Sequence, residues 1–183
     1  MSDSVDWIVD LDAAPDELDL LSNTVRAGLI ERGIIAEQVG AVPAYSGRPL
    51  LMRGPRAAEW DGSPVEWLPA LCGLEIVRER TVFHTGDNGI QALQCPTCDH
   101  QHDPDTVPWS DAVGAWFAGE GDHTFQCPAC QHRRSIVDWR FLECEWGFGC
   151  LGFGFWNWPV GDRLLQEVSS LLGHRCRLVH QHI

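Results

Sequence analysis

An α+β fold is predicted by three features of the chain. Amphipathic helical stripes stand near its two ends, extended runs rich in β-branched residues lie between and after them, and one Cys-containing frame occurs twice in the middle. The expected arrangement is a mixed or antiparallel sheet built from 74–94, 135–156 and 175–183. Two main helices, at 15–32 and 161–172, would flank it. With 183 residues the chain suits one domain carrying a sizeable insertion. The body is expected at 1–90 and 138–183, and the insertion at 91–137.

Taken in order, Trp7-Ile8-Val9 reads as a short strand. Pro15, Asp16 and Glu17 start a helix, with Pro in the first turn and acids at the positive end of the dipole. Leu18, Leu21, Val25 and Leu29 give its apolar stripe and Gly33 ends it. Residues 40–70 are rich in Pro and Gly and read as loop, with one short strand near 49–52. LEIVRERTVF (74–83) is extended, HTGDNG (84–89) is a turn signal, and IQALQ (90–94) returns as the second arm of a hairpin. PWSDAVGAWF (108–117) reads as a short helix with Thr106 as its cap and Ala112, Ala115 and Trp116 on one face. RSIVDWRFL (134–142) reads as a strand, and GFGCLGFGFWNWP (147–159) as a Gly–aromatic strand of period two. Asp162 opens the last helix, with Leu164, Val168, Leu171 and Leu172 on its buried face. Gly173 stops it, and CRLVHQHI (176–183) closes the sequence as a strand.

The net charge of −13 narrows the classes of partner. A phosphate backbone is repelled by most of such a surface, because nucleic-acid affinity rests on Lys and Arg contacts. Acidic charge suits solubility or steering toward a basic protein. The first twelve residues hold four Asp and no basic residue, which is unlike a secretory signal and points to the cytoplasm. In that compartment eight cysteines favour thiolate ligands over disulfides.

The repeated frame is QCPTCDHQH (94–102) and QCPACQHRR (126–134), 32 positions apart. Two cysteines separated by two residues reach one ion when a tight turn folds between them. Pro96 and Pro128 fix φ in that turn. Cys95, Cys98, Cys127 and Cys130 therefore form a four-thiolate set suited to one zinc ion. The 28 residues between the pairs leave room for an excursion at 103–122.

On these two CPxC knuckles, each with a strand before and after, residues 91–137 resemble the zinc-ribbon family. That resemblance implies a structural zinc. Ribbons commonly carry Gly shortly after the second Cys, where this chain has His100 and His132. The departure weakens any transfer of nucleic-acid binding from ribbon relatives. A closed all-cysteine site has no vacancy for substrate or water, so the zinc is expected to be architectural. The FWNWP–helix–strand ending is similar to small bacterial proteins of unassigned function, and it carries over no activity.

Elsewhere the chemistry-bearing residues are sparse. Cys144 and Cys150 in CEWGFGC read as partly buried thiols. DHQHD (99–103) offers His100, His102 and Asp103 for acid–base work or a second metal, against the plainer reading of a solvated loop. His180 and His182 share a face of the last strand as surface imidazoles. GFGCLG (147–152) spells GxGxxG but runs on into a strand, and no Walker A, GxSxG or HExxH sequence occurs. Trp146, Trp156 and Trp158 crowd the Gly-rich strand, either as core or as an exposed aromatic face for a partner. The leading expectation is a non-enzymatic protein that binds a basic partner, an immunity- or antitoxin-like inhibitor of a basic toxin being one form. The alternatives are a zinc-ribbon nucleic-acid factor, supported by Arg133, Arg134 and Arg140, and a small hydrolase or transferase using the DHQHD groups.

Overall fold

The computed structural model describes residues 2–62, 69–85 and 90–183. Among these residues, thirteen strands and three α-helices follow in the order β1 (Ser4–Asp10), α1 (Leu18–Glu31), β2 (Ile35–Val39), β3 (Leu51–Arg53), β4 (Gly73–Val77), β5 (Thr81–Phe83), β6 (Ala92–Gln94), β7 (Gln101–His102), α2 (Trp109–Ala118), β8 (Thr124–Gln126), β9 (Arg133–Ser135), β10 (Arg140–Leu142), β11 (Gly147–Gly149), β12 (Leu151–Trp156), α3 (Asp162–Leu172) and β13 (Cys176–His182). The class is α+β, as the sequence pattern requires.

The main sheet has six strands in the order β13-β1-β12-β4-β3-β2, and every neighbouring pair is antiparallel. Period two along β12 sets its two faces. Leu151, Phe153 and Phe155 point to one side, where Val25 and Leu29 of α1 and Leu164, Val168 and Leu172 of α3 cover them. Helices α1 and α3 end where Gly33 and Gly173 take positive φ, +69° and +71°. On the opposite face Gly152 and Gly154 present no side chain. The Phe83 ring lies over Gly152 and the Trp7 ring over Gly154, so close that a Cβ on Gly154 would sit 2.5 Å from the Trp7 ring.

A second apolar cluster surrounds the knuckles. Leu93, Phe125, Ile136, Trp139 and Phe141 form it with Ala112 and Trp116 of α2. Phe125 stacks on Trp139 at 4.4 Å between centroids, and Arg80 holds α2 through the Trp116 carbonyl at 2.7 Å. The α2 start differs from expectation: Thr106 belongs to a preceding 3-10 turn, and Pro108 occupies the N-cap position.

The strand pairing corrects three expectations. LEIVRERTVF is two strands, since the charged Arg78-Glu79-Arg80 separates β4 in the main sheet from β5, which pairs with β11. The expected hairpin between 74–83 and 90–94 is replaced by pairing of β6 with β7 and β10. Four residues of its proposed turn, 86–89, lie outside the described residues, as do 63–68 of the proposed 40–70 loop. Finally, 135–142 contributes nothing to the main sheet: the Ser135 side chain accepts from Val137 N and caps a 3-10 turn at Ile136–Asp138, after which β10 turns to β6. The knuckle region therefore has small sheets of its own and does not extend the main one.

The exposed aromatic face is also corrected. Trp156 is 3% and Trp158 1% exposed. Trp156 sits on the glycine face with its indole N–H donated to Glu75 at 2.8 Å, and Trp158 packs edge-on against Phe155. Trp146 is half-buried and stacks on Phe141 at 4.7 Å. Trp156 and Trp158 are core, and Trp146 packs against the second cluster.

Candidate metal centre

Each knuckle is a strand, a turn and a strand. In the first, Cys95 N donates to His100 O at 3.0 Å and Asp99 N to Cys95 O at 3.0 Å. In the second, Cys127 N donates to His132 O and Gln131 N to Cys127 O, both at 2.9 Å. The left-handed residue that closes each turn is Asp99 (φ +57°) or Gln131 (φ +63°). The position that glycine usually fills is thus one residue before His100 and His132, whose carbonyls receive the turn bonds. A non-Gly residue there costs about 1–2 kcal/mol, less for Asp. The repeated Gln that opens each frame offsets this cost. Gln94 Nε2 donates to Asp99 O at 3.1 Å, and Gln126 Nε2 to Gln131 O at 2.9 Å. The sequence displayed these glutamines twice, yet their job became visible only in the turn.

The two turns face one another and bring all four thiols together. The Sγ atoms of Cys95, Cys98, Cys127 and Cys130 lie within 4.8 Å of each other. Cys95–Cys130 and Cys98–Cys127 are each 3.8 Å apart. Four sulfurs held about 2.3 Å from one tetrahedral ion stand about 3.8 Å apart along each edge. These two edges therefore already match the tetrahedron. Disulfide bonding would need about 2.05 Å.

The thiols are unequal. Cys95 and Cys127 are fully buried, Cys130 is half-buried and Cys98 exposed. Burial works to raise Cys95, but the backbone N–H groups of Thr97 and Cys98, together with the Cys127 and Cys98 thiols, bring it down to about 7. The His100 backbone N–H lowers Cys98, whereas burial and the neighbouring thiols of Cys130, Cys95 and Cys127 carry it up to about 12. Burial likewise raises Cys127. Four negative sulfurs this close cannot coexist without a cation, and one divalent ion between them removes the conflict.

His102 belongs to this centre. It is buried on β7, opposite Leu93, with Nε2 3.2 Å from Cys127 Sγ. Its ring also packs against Trp139 at 5.8 Å. An imidazole N–H in that place stabilises the thiolate and orients it for the ion. The DHQHD segment is consequently the support of the first knuckle. Asp99 takes the left-handed turn position, and the Asp103 carboxylate accepts from Asp105 N at 2.9 Å. Among the described residues, these four cysteines are the one His/Cys/Asp/Glu group close enough to hold an ion, and Cys144 and Cys150 join no such group. Cys144 is buried, its thiol pushed up by burial and directed at Leu142 O at 3.6 Å. His180 lies exposed on the edge strand and meets Asp6 at 2.7 Å.

No protein-family model, curated protein or solved structure matches this chain. Its reading therefore rests on the geometry itself. Four thiols within 4.8 Å of one another, two edges at the tetrahedral distance, form a group that could hold one metal ion. Four sulfur donors complete the coordination of a tetrahedral ion and leave no position for water or substrate. No helix among the described residues is long and apolar enough to cross a membrane.

Proposed function

We propose that the cysteine cluster holds one structural zinc ion and that the protein is a non-enzymatic binding protein. The zinc unit presents an acidic face to a basic protein partner. The observation that carries this reading is the excursion between the knuckles. Asp103, Asp105, Asp111, Glu120 and Asp122 are all exposed there, and no Arg or Lys occurs between positions 81 and 132. Phe117 lies in the same segment, 58% exposed. An exposed phenyl ring in an acidic segment suits a basic surface: the charge steers the encounter and the ring supplies buried contact. The ion fixes both ends of the excursion, so the face is held in shape before a partner arrives, which lowers the ordering cost of binding.

An immunity- or antitoxin-like inhibitor of a basic toxin is the form of this function that best fits the acidity. The test is retention on immobilised protein at low salt, run beside an Asp105→Arg/Asp111→Arg/Glu120→Arg variant. The reading expects a basic protein held by the natural chain, released by salt and missed by the variant. A partner held equally by both, or none at all, would sink it.

A nucleic-acid reading draws on Arg134, Arg175 and Arg177, which line one cleft of about 330 Å³ beside Pro96. Carboxylates already occupy two of them. Arg175 meets Asp12 at 2.5 Å, and Arg177 lies 4.0 Å from Glu145. Arg133 is likewise paired with Asp122. The acidic reading is therefore preferred, and salt-dependent DNA or RNA binding lost on Arg134→Ala would reverse the preference.

A further inference from the structure

The sheet face away from the helices carries a cavity of about 270 Å³. Trp7, Phe83 and Trp156 wall it, and Tyr45, 65% exposed and bonded to Asp3, stands at its edge. The glycines of β12 let the Phe83 and Trp7 rings approach the bare backbone of the sheet face. Glu75, Glu79 and Arg48 bring formal charge to the lining.

Glu75 is the unexpected member. It sits at the centre of β4, opposite Gly154, at 1% exposure. A carboxylate withdrawn from water to this extent costs several kcal/mol unless a cation and hydrogen bonds compensate it. Its close partners are neutral: Ser46 Oγ at 2.5 Å and the Trp156 indole N–H at 2.8 Å. The cation beside it, Arg48, is 3.5 Å away on Nη1 and gives Nη2 to the exposed Glu79. The carboxylate thus meets the cavity with its charge only partly offset, among aromatic rings whose faces attract positive charge.

We propose that this cavity binds an organic cation, a guanidinium or primary ammonium group carried on an alkyl stem. Its charge is taken by Glu75 and its stem by Trp7, Phe83 and Trp156. Arg48 is then the internal competitor that a ligand displaces toward Glu79. The site lies on the main sheet and is independent of the 103–122 face.

The experiment is titration of the full-length, metal-loaded protein with n-butylguanidinium and n-butylammonium, with n-pentanol and butyrate as neutral and anionic counterparts. The readout is the indole N–H resonances of Trp7 and Trp156. The cations are expected to shift both resonances saturably, and the counterparts to leave them in place. Glu75→Gln keeps an oxygen for the Trp156 N–H and is expected to weaken cation binding at least tenfold. Arg48→Gln is expected to tighten it severalfold, an effect that a purely structural Glu75–Arg48 pair would not produce. A blocked Gly-Arg-Gly peptide separates the sources of the group. Tighter binding than butylguanidinium supports a partner's side chain, and weaker binding supports a free small molecule. The proposal is overturned if neither cation saturates, if pentanol binds as well, or if Arg48→Gln weakens binding.

Discussion

Stripping the ion with a strong chelator should melt one part of the molecule and spare the other. The pairing that holds the knuckle region is slight: β8–β9 has three residue pairs, β6–β10 three and β6–β7 two. Hairpins this small are marginal on their own in water. A thiolate-bound zinc contributes about 10–16 kcal/mol of folding free energy, as much as the roughly 5–15 kcal/mol that holds a whole domain. Loss of the ion also leaves the buried Cys95 and Cys127 thiols crowded together at the centre of the cluster that Leu93, Phe125 and Trp139 complete. The main sheet has extensive pairing of its own: β1 has six pairs with β12 and seven with β13, and each face has an apolar cluster of its own. Amide hydrogen exchange read by mass spectrometry, before and after chelation, resolves the two parts. Protection across 92–142 should collapse, while β1, β4, β12 and β13 exchange as before. Unchanged exchange at 92–142 would refute a structural role for the ion. Equal loss in the main sheet would refute the separation of the two cores.

Other outcomes follow from single residues. Gly154→Ala places a Cβ 2.5 Å from a Trp7 ring that is tied to Gln181 at 3.0 Å, so denaturant unfolding should show a loss of about 1–3 kcal/mol. His102→Leu keeps the bulk but removes the hydrogen bond to Cys127, and competition with a chelator should reveal about 10–100-fold weaker metal affinity. His174 is raised above its ordinary value of 6.5, first by its hydrogen bond to the buried Asp10. A raised folded-state value gives stability that is full below pH 6.5 and is lost as pH climbs through the folded value. Thermal melts should accordingly fall across that interval, and a His174→Ala variant should lose the dependence.

Local patterns were the legible part of this sequence. The CPxC spacing named all four cysteines that the fold gathers, because a knuckle is made within five residues. The stripes of α1 and α3 were equally plain, since 3.6-residue periodicity is a local property, and Gly173 marked its helix end. Sheet partners were not legible. LEIVRERTVF, IQALQ and RSIVDWRFL each look like a strand, and nothing in them says that β5 pairs with β11 or β6 with β10. Short strand β2 was missed because IAEQV leaves only Ile35 fully buried. The tryptophans stayed ambiguous for a related reason. Exposure is a tertiary property, and Gly152 and Gly154 could have signalled either an open face or rings lying on backbone. His102 was misread as a loop imidazole. Its inward side is set by cross-strand pairing with Leu93, which the local sequence does not show.

The central claim is that a closed shell of four thiolates holds one zinc ion for architecture. X-ray absorption of the purified, metal-loaded protein tests it directly. The account predicts one zinc per chain with four sulfurs at about 2.3 Å and no nitrogen or oxygen neighbour. A nitrogen or oxygen in the coordination shell, or fewer than four sulfurs, would contradict it, because either would mean that the ion is not held by the four cysteines alone.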